Sequence, residues 1–140
     1  PVLYLSRYVI THKTDYYRLL QEVRTEDKWE EWILYMLEAV EQTSLETIEL
    51  INNISNLMIK TQDKISRELP KIYSKDLVEI LFMHPYTKIE FLVDRLNITR
   101  KTASKYLSEL ESRGILDNIQ IKNSKYFINI ELFDLLRKGI

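Results

Sequence analysis

A mostly α-helical fold with one small β-hairpin near its C-terminal end follows from three features of the 140-residue sequence. Only two glycines and three prolines occur, so long stretches run without a helix breaker. Apolar residues recur at three- and four-residue spacing through most of the chain. The stretch Ile119 to Ile130 instead shows β-rich runs around a polar Asn-Ser centre.

Pro1 to Leu5 is apolar and reads as the end of a connection entering a helix that Ser6 caps. Thr11 to Asp15 is a polar break, and Asp15 opens a helix whose buried stripe is Tyr16, Leu19, Leu20 and Val23. Thr25 to Lys28 is a charged turn. Trp29, Trp32, Ile33, Met36, Leu37 and Val40 then fall on one helical face. Core packing is the expected role of the two tryptophans, with stacking on a base or sugar as the alternative. Thr43 to Leu69 continues without Gly or Pro, with Leu45, Ile48, Ile51, Ile54, Met58 and Ile65 along one edge. It reads as a long linking helix that packs on its own domain or pairs with a second copy. Pro70 stops it, and Lys71-Ile72-Tyr73 is a joint between two domains, residues 1–70 and 71–140.

Ser74 caps a short helix that ends before His84-Pro85. Ile89, Leu92, Val93 and Leu96 mark the next helix. Asn97 tolerates the left-handed conformation that closes it, and Thr99 caps its successor. Ala103, Tyr106, Leu107 and Leu110 form the apolar stripe of that successor, and Gly114 stands where a helix end needs positive φ. In the hairpin, alternation puts Tyr126, Ile128 and Ile130 on one side. Glu131 to Lys138 is a last short helix. Three helices followed by a hairpin make a winged helix-turn-helix domain.

Thr99, Arg100, Lys101, Thr102, Ser104, Lys105 and Ser108 carry the functional reading. Cations interleaved with small hydroxyl residues on one helix suit entry into a DNA major groove. Lys122 and Lys125, near the hairpin tip, are placed for flanking phosphates. The plain alternative is a solvated, charged surface helix. Charge distribution favours the first. Residues 1–70 hold eight Lys/Arg against twelve Asp/Glu, a net of −4, whereas residues 71–140 hold twelve against nine, a net of +3.

Self-contained catalysis is not expected. There is no cysteine, hence no thiolate nucleophile or metal ligand. His12 and His84 stand apart, and Glu30, Glu31, Glu38, Glu41, Glu46 and Glu49 have no histidine among them to complete a metal site. Gly114 and Gly139 cannot build a phosphate-cradling loop. No signal-peptide pattern or membrane-length apolar run occurs, so a cytoplasmic location is the expectation. The chain opens at Pro1 in mid-pattern and reads as a piece of a longer protein.

The combination YLSRY, DYYRLLQEVR and WEEWILYML, within residues 1–43, resembles the part of bacterial Fic-family proteins that follows their catalytic motif. LPKIYSKDLVEILFMHPYTKIEFLVDRLNITRKTASKYLSELESRGIL is similar to the C-terminal winged helix that multidomain Fic proteins carry. The resemblance implies that residues 1–70 are a helical remnant of a Fic domain. It also implies a parent protein that transfers AMP from ATP to a hydroxyl of a target protein, using magnesium. In that family an HPFxxGNGR-type motif supplies the base, the metal ligand and the phosphate contacts. His84-Pro85-Tyr86 begins like it but continues Thr-Lys-Ile-Glu, so no catalytic residue transfers to this chain. Nor is an inhibitory helix with a Ser/Thr-x-x-x-Glu pattern evident. The expected role is therefore recognition, transcriptional-regulator-like, with double-stranded DNA as partner. A homodimer or the protein target of AMP transfer is the alternative partner. This chain is expected to hold no cofactor, no metal and no membrane surface.

Overall fold

The computed structural model describes residues Tyr4 to Gly139; Pro1 to Leu3 of the apolar connection lie outside the described residues. The elements are α1 (Leu5–Thr11), α2 (Lys13–Glu26), α3 (Trp29–Glu68), α4 (Lys75–Met83), β1 (Tyr86–Thr87), α5 (Ile89–Leu96), α6 (Arg100–Ser112), β2 (Leu116–Ile121), β3 (Ser124–Asn129) and α7 (Ile130–Gly139). The chain is mostly helical, with one small antiparallel sheet. It divides into two compact units, one built on residues up to Ile51 and the other on Asn52–Lys138. No helix among the described residues is long and apolar enough to cross a membrane.

In the first unit the helix starts differ from the sequence reading. Tyr4, not Ser6, occupies the position before α1, and no side chain caps that end. Only His12 separates α1 from α2, which begins at Lys13 and carries Asp15 in its first turn. An acid there is favoured by the helix dipole, so Asp15 marks the start without defining it. The covered side of α3 is Tyr35, Ala39 and Thr43, facing the aromatic rings of α1 and α2. Tyr8 meets Tyr35 edge-on at 5.5 Å between centroids, and Trp32 lies 5.3 Å from Tyr16.

That arrangement corrects the expected core. Trp29 is 53% exposed, and Ile33, Leu37 and Val40 are exposed with it. Trp29 donates its ring N–H to the Asp27 carboxylate at 2.8 Å, next to a left-handed Asp27 that ends α2. Leu20 of α2 is exposed as well. Rings from α1 and α2 meet Trp32 and Tyr35 on that side of α3, and the bulkier apolar side stays open.

The second unit is built as its local signals require. Ser74 accepts a hydrogen bond from the Leu77 N–H at 3.1 Å and caps α4. Asn97, at φ 51, closes α5 in the left-handed region. Thr99 accepts from the Thr102 N–H at 3.2 Å and caps α6. Gly114, at φ 66, lets the chain turn so that Ile115 N–H reaches the Leu110 carbonyl at 3.1 Å. The core gathers Ile65 of α3 and Leu69 just beyond its end with Leu77, Val78, Leu81, Leu92, Leu107, Leu110, Leu116 and Phe127.

The sheet has the order β1-β3-β2, antiparallel throughout. The two-residue strand β1 is absent from the sequence reading, since two residues carry no periodicity. Tyr86 pairs Ile128 and Thr87 pairs Phe127, while β2 and β3 close at Ile121 opposite Ser124. The turn is therefore Lys122-Asn123, with Lys122 at φ 53. Ile130 starts α7 and does not extend the hairpin. The hairpin's core side is Phe127 and Asn129, not Tyr126 and Ile128, which are half-buried. Buried Asn129 donates to the Leu81 carbonyl at 3.1 Å and accepts from the Leu132 N–H at 3.2 Å. It thereby starts α7 and ties the sheet to α4.

Candidate nucleic-acid interface

The turn between α5 and α6 is tight because Asn97 takes the left-handed conformation and Thr99 caps at once. Helix α6 then buries Ala103, Leu107 and Leu110 on the core. Its opposite side is fixed outward by the helical period. Lys101, Lys105 and Ser108 share this outer side at four- and three-residue spacing, and all three are exposed. Arg100 and Lys105 side chains are 71% and 74% exposed. Thr102 and Ser104 are half-buried and so present less of themselves than a free contact surface does. Thr99 is exposed, but its hydroxyl serves as the cap and lies 2.9 Å from the Thr102 hydroxyl.

The hairpin brings two further cations. Lys122 stands exposed in the turn, and exposed Lys125 follows in β3. The Lys125 ammonium sits 4.8 Å from the Phe127 ring centroid and 3.9 Å from Glu111. Arg100 and Lys125, twenty-five positions apart, line one cleft of about 390 Å³. The same cleft takes in Lys88 and Glu90 from the start of α5, with Gln120 and Asn123 from the hairpin. Lys88 and Glu90 did not stand out in the sequence. The one available signal was a Lys immediately before the first apolar residue of a helix.

Carboxylates temper the positive side. Arg100 pairs with Glu90 at 2.8 Å, and Lys105 reaches Glu109 at 3.8 Å. The Glu90 backbone N–H, then Arg100, hold the Glu90 carboxyl below its usual range. Lys101 and Lys122 have no ion-pair partner among the described residues. Both pairs are exposed, where attraction is weak and exchangeable for a stronger anion. Among the described residues no group of three His, Cys, Asp or Glu is placed to hold a metal ion.

A family described as the C-terminal domain of SoFic-like protein adenylyltransferases matches residues 57–132. The match takes in the C-terminal end of α3, helices α4 to α6, the whole sheet and the start of α7. It spans more than half of the chain, and it contains every residue of the proposed interface. The chain therefore belongs to the SoFic-like adenylyltransferase C-terminal domain family, as a C-terminal portion of a Fic-related protein.

Proposed function

We propose that this chain is the recognition region of a Fic-type AMP-transferase, and that residues 71–140 form a winged helix that binds double-stranded DNA. The observation that carries this reading is the outward side of α6, where exposed Lys101 and Lys105 stand beside a hairpin bearing Lys122 and Lys125. In this reading α6 enters the major groove, with Arg100, Lys101 and Lys105 on phosphates and base edges. Thr102 and Ser104 let the helix backbone approach, and Thr99 positions the first turn. Ser108 offers its hydroxyl further along, and Lys122 and Lys125 hold flanking phosphates. AMP transfer, with ATP and magnesium, is assigned to the catalytic part of the parent protein and to no residue of this chain.

The expected test result is salt-dependent binding to a mixed-sequence 20-base-pair duplex, read by fluorescence anisotropy. On a log-log plot, two unpaired cations give a slope of about −1.8, and all five give about −4.5. A measured slope inside that window supports the proposal. Absence of binding at low salt, or affinity indifferent to salt, contradicts it.

A second reading is a protein-interaction module, for dimerisation or for recruiting the AMP-transfer target. Its support is the open apolar side of α3, where Trp29, Ile33, Leu37, Val40, Ile48 and Ile51 are exposed. Six glutamates and no Lys or Arg lie between Trp29 and Ile59. Acidic borders disfavour pairing of two identical copies of that side and leave the DNA reading ahead.

A further inference from the structure

The cleft beside α6 has a chemistry that the outer side of the helix does not. It is concave, and it is walled by the first turns of α5 and α6 and by the hairpin. Its lining holds three cations, Lys88, Arg100 and Lys125, and one carboxylate, Glu90, and the Glu111 carboxylate stands 3.9 Å from the Lys125 ammonium. Aromatic rings hold two of the ammonium groups, Lys88 over Tyr126 at 4.3 Å and Lys125 over Phe127 at 4.8 Å. Gln120 and Asn123 add side-chain amides that can donate. A concave site with excess positive charge and neutral donors suits a tetrahedral oxyanion. On a surface already proposed for DNA, that oxyanion is a phosphodiester.

Glu90 is the group that does not fit a plain phosphate site. It occupies Arg100 at 2.8 Å, and Arg100 is the first residue of α6. A phosphate entering the cleft competes with this carboxylate for the same guanidinium. We propose that the cleft is a phosphodiester site of the DNA interface, with Lys88 as an additional contact and Glu90 as a latch that must release Arg100. This rests on the DNA reading above. Removing the Glu90 charge therefore strengthens binding.

The test uses the whole chain and the same mixed-sequence duplex, with wild type, Glu90→Gln, Lys88→Ala, Arg100→Ala and the Glu90→Gln/Arg100→Ala pair. Asp94→Asn, on the same helix, controls for loss of one negative charge. Glu90→Gln is expected to bind about two- to fivefold tighter, the range of an exposed ion pair. The salt slope of Lys88→Ala is expected to flatten by about 0.9. In the Arg100→Ala background the Glu90→Gln gain should shrink to that of Asp94→Asn. Equal gains with and without Arg100, or an unchanged slope for Lys88→Ala, overturn the proposal while wild-type binding leaves the DNA reading intact. A wild-type chain that ignores the duplex overturns both.

Discussion

Replacing Lys101 and Lys105 together by Glu should lower duplex affinity by about a hundredfold, since like charge set against phosphate costs several kcal/mol. The same change should flatten the salt slope by about 1.8, one unit of about 0.9 for each lost phosphate contact. The fold has little reason to notice. Both side chains are exposed, and Lys105 holds only a long, exposed pair to Glu109 at 3.8 Å. Lys101 lies in the first turn of α6, where the helix dipole welcomes an acid. Thermal unfolding should therefore match wild type while anisotropy shows the loss. Unchanged affinity for the duplex in the double variant removes α6 from the interface.

Phe127→Ala should produce the largest stability effect, a loss of about 3–5 kcal/mol, as expected for emptying a buried aromatic site. Phe127 is 1% exposed and sits on the central strand, opposite Thr87 of β1 and Asn118 of β2. Its removal leaves a void in the core that also contains Leu81, Leu92 and Leu107, and takes away the ring that holds Lys125. Domains are stable by about 5–15 kcal/mol, so the second unit should become marginal. Urea unfolding followed by circular dichroism reads this directly. The half-exposed Ile121→Ala serves as comparison and should stay within about 0.5 kcal/mol of wild type. Similar midpoints for the two variants would mean that Phe127 is not the centre of this core.

The second unit was legible because its punctuation is chemical. Ser74, Asn97, Thr99 and Gly114 each do the one thing that their residue type does best, and each sits where its cap or turn is needed. Periodicity was less informative about coverage. It identifies an apolar side of a helix, but nothing in a single helix says which neighbour arrives to bury it. In α3 both sides carry apolar residues, and the neighbours chose the side with Ala39 and Thr43. Trp29 was thus misplaced by the same spacing that correctly identified its helix.

The hairpin shows the converse problem. Period two offers two faces without saying which is covered; the one with Tyr126 and Ile128 is half-buried and the one with Phe127 and Asn129 is buried. The core face contains Asn129, a polar residue made acceptable inside by its bonds to Leu81 and Leu132. Only the tertiary arrangement supplies those partners. The cleft was invisible for a related reason: Lys88, Arg100 and Lys125 come from three elements, and no spacing along the chain relates them.

Amide chemical-shift mapping of the isotopically labelled chain against the mixed-sequence duplex tests the central claim most directly. The largest changes should fall on Arg100 to Ser108, on Lys122 to Lys125 and on Lys88 to Glu90, and should fade as salt rises. Changes confined to the open side of α3 around Trp29 and Leu37, or none at low salt, would contradict the account.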